Sequence, residues 1–174
     1  MTLNKQMELT NENVLGKIIS KFGEDNILGA YSPDGIMTFT TNRETIIELI
    51  QYLHDDEELQ ISFLTTMCGI HYPDQKDKEL CVMYQLHSLR HNYRLRIKVF
   101  MPASDPTMPT LTKVYSASNW MERETFDFYG INFLGHPNMT RILNIEEMEY
   151  HPLLKQYPLE DQTRHDKIDT YFGR

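Results

Sequence analysis

Three consecutive strand-like runs in the middle of the chain place the strongest limit on its fold. Short polar connections separate them, and they cover Gln60–Tyr72, Glu79–Leu89 and Tyr93–Met101. Connections of this length join antiparallel neighbours, so the three runs predict a meander. In the last run, apolar residues alternate with Arg94, Arg96 and Lys98. This alternation predicts a strand with one buried face and one basic face.

The chain before the meander begins with a helix and a hairpin. Thr10 is a suitable N-terminal cap and Gly23 a suitable stop for an amphipathic helix between them. Ile27–Tyr31 and Ile36–Thr40 are predicted as strands, because the Ser-Pro-Asp-Gly sequence between them favours a tight turn.

A second helix is predicted directly after the hairpin. Thr41 and Glu44 form a capping-box pair ahead of an apolar stripe that ends at Leu53. The Pro, Ser and Asp content of residues 102–109 predicts a loop after the meander. The expected element order, including the helix described next, is therefore α-β-β-α-β-β-β-α.

The last helix, around Trp120 to Gly130, combines charges and large aromatic residues more densely than is usual. One stripe at helical spacing is predicted to face the core, and it consists of Ala117, Trp120, Met121, Glu124, Phe128 and Ile131. A second apolar stripe contains Phe126, Tyr129 and Phe133. Two interpretations stay open: a core helix of a self-contained domain, or a helix whose second face awaits another protein.

The chain changes character after Phe133. Residues 134–174 contain three prolines and no sustained apolar period, so we expect them not to fold alone. Leucines and isoleucines occur there nonetheless. We therefore predict an α+β domain at 1–133 and an extended C-terminal docking segment at 134–174.

Composition excludes several classes of protein. The 174 residues are 40% hydrophobic and 24% charged, as in a soluble single-domain protein, and the net charge of −8 argues against general nucleic-acid binding. No uncharged stretch approaches the roughly 20 apolar residues of a membrane span, and the N-terminus lacks the apolar core of a secretory signal. We expect a cytosolic location, with Cys68 and Cys81 reduced.

The strongest candidates for a catalytic or metal site are Glu122, Glu124, Asp127 and His136. Glu124 and Asp127 are three residues apart and share a helix edge, as two carboxylates around one cation would. His136, however, lies outside the spacing of di-iron Glu-x-x-His sites, and Arg123 favours ion pairing instead. The chain also lacks a nucleophile elbow, a P-loop and a dinucleotide fingerprint.

Several motifs at fixed spacing resemble one family. They are Glu122-Arg-Glu124, Asp127, His136-Pro137, Arg141 to Leu143, His151-Pro152, Lys155 and Pro158-Leu159, together with Tyr84 to Arg90 and Leu95 to Val99 upstream. This arrangement is similar to the 30 kDa, C-type subunit family of NADH:quinone oxidoreductase, which is respiratory complex I. Thr140, Tyr150, Leu154 and Gln156 depart from the pattern.

The resemblance implies a fold, a role and a set of neighbours. The fold is α+β, in two layers, with helices on one face of a mixed, mainly antiparallel sheet of about five strands. The role is that of a non-catalytic peripheral-arm subunit on the cytoplasmic side of the inner membrane. Partners would be the large D-type subunit, which forms the quinone site, and iron–sulfur subunits of the B and I types. Those partners would carry NAD, FMN, the iron–sulfur clusters and quinone, and this chain no cofactor.

Under this resemblance the motif residues have architectural roles. Glu122, Arg123, Glu124 and Asp127 hold the helix and the following segment in place. Residues 136–143 and 151–159 dock on neighbouring subunits. The alternatives are a subunit of a related hydrogenase-type membrane complex, a free-standing metal enzyme that uses Glu124, Asp127 and His136, and a general interaction module.

Overall fold

A computed structural model describes residues 9–158 of the chain. Within these residues the fold has three helices and seven strands, with two short 3-10 turns in the N-terminal part. In chain order they are α1 (Asn11–Phe22), β1 (Leu28–Tyr31), β2 (Met37–Thr41), α2 (Ile46–Asp55), β3 (Phe63–His71), β4 (Leu80–Ser88), β5 (Tyr93–Met101), β6 (Thr107–Pro109), α3 (Ser118–Tyr129) and β7 (Asn132–Leu134).

The main sheet has five strands in the order β1-β2-β5-β4-β3. Strands β3, β4 and β5 form the predicted antiparallel meander, and β1 and β2 form the predicted hairpin. The two units join where β2 pairs in parallel with β5, from Met37 opposite Leu95 to Thr41 opposite Val99. The predicted α+β class with a mixed, mainly antiparallel sheet of five strands is thus confirmed.

The core lies on one face of this sheet. Leu95, Ile97 and Val99 of β5 are fully buried, and the alternating basic side chains of β5 point to the opposite face. Val14 and Ile18 of α1 contribute to the same core. So do four residues of α2, namely Ile46, Leu49, Ile50 and Leu53.

The start of α1 follows the prediction and the start of α2 does not. The Thr10 hydroxyl accepts a hydrogen bond from the Asn13 amide at 3.3 Å. The predicted capping box of Thr41 and Glu44 is wrong, since α2 begins only after Thr45 and has no side-chain cap. Thr41 is instead the last residue of β2, because its place in the ladder beside β5 prevails over the local capping preference.

The predicted loop at 102–109 contains a strand. Thr107–Pro109 forms β6, which pairs in parallel with β7 in a separate two-stranded sheet. Strands of three residues have no alternation that a sequence pattern could reveal. This small sheet places the segment before α3 beside the segment after α3.

The predicted orientation of α3 is wrong for three of the six stripe residues, whereas Ile131 is buried and Met121 packs against the core. Trp120 is 61% exposed and Glu124 is also exposed, although both belong to the stripe that was expected to face the core. The buried residues of α3 are Ser118, Glu122, Thr125 and Asp127. The small side chain of Thr125 allows close packing on β3, and the buried carboxylates have hydrogen-bond partners, so this polar face can be enclosed.

Gly69 of β3 sets the distance between α3 and the sheet. A Cβ atom there would lie 2.5 Å from Cδ2 of Tyr129 and 3.1 Å from the Thr125 methyl group. Gly69 pairs with Val82, which belongs to the core, so α3 lies on the same sheet face as α1 and α2. The prediction that the helices lie on one face of the sheet is thus confirmed.

We expect Gly69→Ala to destabilise the domain by about 1–3 kcal/mol, because the added methyl group must displace the Tyr129 ring in a packed contact. Urea unfolding monitored by circular dichroism would measure the loss. Gly16→Ala is the matched control, since no atom lies within 4 Å of its Cβ position and alanine favours the interior of α1. Equal unfolding midpoints for the two variants would contradict the packing role of Gly69.

Candidate docking site

Helix α3 is fixed on its N-terminal side by Glu122. This fully buried carboxylate accepts hydrogen bonds from the Thr110 hydroxyl at 2.6 Å and from the Leu111 amide at 2.7 Å. Burial raises the pKa of Glu122, and the bonds from Thr110 and Leu111 oppose that rise. The chain between β6 and α3 is therefore held against the helix by one side chain.

Asp127 is also fully buried, and it organises the segment that follows β7, residues 135–158, which we call the C-terminal segment. Its Oδ2 atom accepts hydrogen bonds from three consecutive backbone amides, those of Ile142, Leu143 and Asn144, at 3.1, 2.8 and 2.9 Å. Its Oδ1 atom accepts from the Asn144 side chain at 3.0 Å. Burial alone would raise the pKa of Asp127, but the bonds from Asn144, Leu143 and Arg141 outweigh it and hold the pKa well below its usual range.

Arg141 completes the anchoring of Asp127. Its Nη1 atom is 2.7 Å from Oδ1 of Asp127 in an ion pair whose two side chains are 10% and 0% exposed. Its Nη2 atom donates to the carbonyl groups of Met148 and Tyr150 at 2.6 and 3.0 Å. The Arg141 guanidinium group thus connects Asp127 of α3 to the backbone of Met148 and Tyr150, farther along the C-terminal segment.

Arg123 makes a second connection nearby. Its guanidinium group donates to the carbonyl groups of Thr140 and Arg141, at 3.1 and 3.0 Å, and to the Thr140 hydroxyl. The same group lies 5.1 Å from the centre of the Trp120 ring. Glu124, by contrast, is exposed at the edge of a cleft of about 220 Å³ between α3, β3 and Leu153.

Two histidines hold the C-terminal segment at opposite ends of α3. His136 places Nε2 at 3.0 Å from the Asn119 carbonyl, and its Nδ1 accepts from the Asn138 amide. His151 places Nδ1 at 2.9 Å from the Asp127 carbonyl. Its ring lies against Gly130, where a Cβ atom would be 2.7 Å from the ring and where φ is +76°. Glycine is required there both by the left-handed backbone and by the histidine contact.

The remaining motif residues lie farther along the C-terminal segment. The Leu153 amide donates to the Phe128 carbonyl, and the Lys155 amide donates to Nδ1 of His71 at the end of β3. Pro137 and Pro158 are exposed, and Pro152 is half-buried. Leu159 lies outside the described residues.

The structure does not bring Glu124, Asp127 and His136 together as a metal site. The Asp127 carboxylate already accepts hydrogen bonds from backbone amides and forms an ion pair with Arg141. The His136 ring instead contacts the Asn119 carbonyl. Within residues 9–158 no group of three or more His, Cys, Asp or Glu side chains is arranged to hold a metal ion. No helix in those residues has the length and apolar character needed to cross a membrane.

Sequence reasoning missed Thr110, Asn144 and Gly130. Thr110 and Asn144 act on residues distant in the chain, and no local spacing marks such a contact. Gly130 had a signal, because a glycine just past the last periodic residue typically ends a helix.

Comparison with known proteins identifies the family to which the chain is similar. The model of the family described as respiratory-chain NADH dehydrogenase, 30 Kd subunit, matches residues 39–163. The chain belongs to this family. The match includes Glu122, Asp127, Arg141 and His151, so the region shared with the 30 kDa subunit family contains the anchoring residues described above.

Individual relatives agree with this assignment. The C-type subunit of NADH-quinone oxidoreductase from Nocardioides sp. (strain ATCC BAA-499 / JS614) is 44% identical over 125 residues, which are 72% of this chain and 50% of that protein. The C-type subunit from Mycobacterium ulcerans (strain Agy99) is 43% identical over 123 residues, which are 71% of this chain and 52% of that protein. The chain thus spans about half the length of these two members of the 30 kDa subunit family.

Solved structures share the fold. A trypsin-resistant fragment of Nqo5 is 28% identical, with a TM-score of 0.62, and the match covers 73% of this chain and 97% of the fragment. A chain of the membrane-bound sulfane sulfur reductase, an archaeal respiratory membrane complex, has a TM-score of 0.72 at 20% identity over 85% of each chain. The second likeness concerns the fold alone.

We expect Asp127→Asn to release the C-terminal segment, because the amide nitrogen of asparagine cannot accept the bonds that the carboxylate accepts. Loss of one partner of a buried ion pair costs about 3–5 kcal/mol. Hydrogen exchange at Ile142, Leu143 and Asn144 would report the release. Because the pKa of Asp127 is lowered, its contribution is complete above the ordinary aspartate range and is lost as the pH falls toward the folded-state value. Protection that persists unchanged in the variant would disprove this anchoring.

We expect the contribution of Glu122 to folding stability to change with pH in the opposite direction to that of Asp127. Its raised pKa means that the folded state binds the proton more tightly, so this group's contribution to stability falls as the pH rises through the interval between its unfolded and folded values. We expect the stability difference between the native chain and Glu122→Gln to shrink across that interval. Urea unfolding of the two chains at several pH values would measure this difference. A difference that stays constant with pH would refute the assignment.

Proposed function

We propose that the chain is a non-catalytic, peripheral-arm subunit of a proton-translocating NADH:quinone oxidoreductase, or complex I. In this role it holds the quinone-site subunit and the iron–sulfur subunits in position while electrons pass from NADH to quinone. Membership of the 30 kDa subunit family and the names of the relatives support this proposal. NAD, FMN, the iron–sulfur clusters and quinone would then be bound by partner subunits.

The observation that carries the proposal is the apolar surface on the assembly of α3 and the C-terminal segment. Trp120, Leu143 and Ile145 are 61%, 65% and 66% exposed, and the Leu143 amide is held by the buried Asp127 carboxylate. Arg123 stacks on Trp120 and binds the chain two residues before Leu143. Large apolar side chains on a preorganised backbone are typical of protein interfaces, because little conformational freedom is lost on binding.

The same proposal assigns partners and a location. The large D-type subunit, which forms the quinone site, would cover this surface, with the B-type and I-type iron–sulfur subunits beside it. The chain would be bound peripherally at the cytoplasmic side of the inner membrane through these contacts. A related hydrogenase-type membrane complex is the second candidate, since the fold also occurs in a chain of a different respiratory membrane complex, the archaeal sulfane sulfur reductase.

The proposal predicts that Leu143→Asp prevents assembly without unfolding the chain. A new carboxylate at the centre of an apolar interface would be desolvated without a partner, so incorporation should fall by at least tenfold. Affinity purification of the tagged chain from detergent-solubilised membranes of its own cells, with mass spectrometry of the subunits, would measure incorporation. Identification of those subunits also separates complex I from a hydrogenase-type complex.

Leu89→Asp is the matched control. Leu89 is 62% exposed but lies in the β4–β5 turn, away from α3, so this variant should assemble normally. Both variants should unfold at the native urea midpoint, because both side chains are exposed. Recovery of the native chain alone, without other subunits, would contradict the proposed function.

A further inference from the structure

The sheet face opposite the helices, which we call the open face, has an unusual charge. The strands β1 to β5 contain Arg94, Arg96 and Lys98 but no Asp or Glu. These three residues lie on the open face, and none of them forms an ion pair within residues 9–158. The chain as a whole has a net charge of −8. A basic stretch of sheet with no acid in its strands is therefore embedded in an acidic protein.

The three cations lie in the middle of the sheet rather than at an edge. They belong to β5, which has β2 on one side and β4 on the other. Their cross-strand neighbours carry no carboxylate, and they are Thr38 and Thr40 of β2 and Met83, Gln85 and His87 of β4. In a sheet that faces only water, opposite charges on neighbouring strands commonly pair and stabilise one another. Here the opposite charges are missing from the strands themselves.

Arg96 and Lys98 are already oriented by neighbours. The Nε atom of Arg96 donates to Oε1 of Gln85 at 3.0 Å, and Gln85 is only 8% exposed. The Nζ atom of Lys98 lies 3.2 Å from the Tyr31 hydroxyl. Within residues 9–158 the two Nη groups of Arg96 have no hydrogen-bond partner, and this planar pair of donors matches a carboxylate.

The surroundings of these cations favour a protein segment over a polyanion. Half-buried Met83 lies directly beside Lys98 on the open face, and half-buried Cys68 and Ile70 lie one strand farther away on β3, so the surface mixes apolar and basic groups. Nucleic acid and anionic membranes carry negative charge over an extended surface, so the net negative charge of the rest of the chain repels them more strongly than it repels a segment with one or two carboxylates. A peptide segment with carboxylates between apolar residues satisfies both features of the surface.

We infer that the open face binds an acidic segment of a neighbouring subunit, with a carboxylate against Arg96 and Lys98. This inference rests on the proposed function, because the neighbour is another subunit of the complex. The open face is on the other side of the sheet from α3, and it meets the cleft beside Glu124 and Leu153 at Cys68 of β3. The chain would accordingly contact the complex through a second surface in addition to the one on α3 and the C-terminal segment.

Chemical coupling in the assembled complex tests this directly. A zero-length carbodiimide should join the Lys98 amine to an Asp or Glu of another subunit, and mass spectrometry would identify the linked peptides. Acetylation of Lys98 should be at least tenfold slower in the complex than in the isolated chain. Lys113, which is exposed and outside the open face, serves as the internal control for reactivity.

A charge-removing variant provides the second measurement. Arg96→Gln combined with Lys98→Gln should lower incorporation of the chain at least tenfold, whereas Lys113→Gln should not. Circular dichroism and the urea midpoint would establish that the double variant folds. Carbodiimide coupling of Lys98 is measured on the native chain. The inference therefore remains testable even if the double variant does not fold.

The outcomes distinguish this inference from the proposed function. If the chain is incorporated but Lys98 is acetylated at the isolated rate and the double variant assembles, the inference fails and the proposed function stands. Recovery of the native chain alone contradicts both. Saturable binding of the isolated chain to phosphatidylglycerol vesicles or to a poly-uridine oligonucleotide, lost in the double variant, would also overturn the assignment to a protein segment.

Discussion

The Asp127 carboxylate is the group on which the C-terminal half of the structure depends. A fully buried carboxylate is stable only when donors replace the water that it has lost. All the donors come from residues 141–144, so the helix and the segment that covers it cannot be ordered independently. Three successive amides directed at one oxygen also fix the backbone conformation of this stretch. The side chains on either side of it are thereby positioned without a core of their own.

Helix α3 is the reverse of an ordinary amphipathic helix. Its carboxylates at 122 and 127 are buried, while its tryptophan is exposed. Each buried carboxylate is paired with backbone or side-chain donors from flanking segments. Met121 and Tyr129 still pack against the core, whereas Trp120 is left outside. Such an arrangement is stable only because the polar contacts are complete. It is useful to a protein that has to present apolar groups to a neighbour.

Local patterns account for what was predictable from the sequence. The alternation in β5, the glycine after α1 and the turn between β1 and β2 all act within a few residues, and they yielded the element order and the meander. The rotation of α3 was not predictable, because hydrophobic periodicity treats glutamate as an outward residue, whereas Glu122 is enclosed by Thr110 and Leu111. Strands β6 and β7 were missed because they exist only through their mutual pairing. The anchoring side chains were found through the spacing of the family motifs, whereas most of their backbone partners were not.

The parallel pairing of β2 with β5 has a consequence for how the chain reaches this fold. Strand β5 is the last of the five in the sequence and yet lies at the centre of the sheet. During synthesis the N-terminal hairpin and its two helices emerge first, with one edge of β2 lacking its neighbour. The main sheet cannot be completed before β5 has been synthesised, because β5 lies between β2 and β4. Such long-range closure is slow and leaves strand edges unpaired in the meantime. Strand β2 contains no charged residue. Until β5 pairs with it, its unpaired edge is therefore more prone to associate with other chains than a charged edge would be.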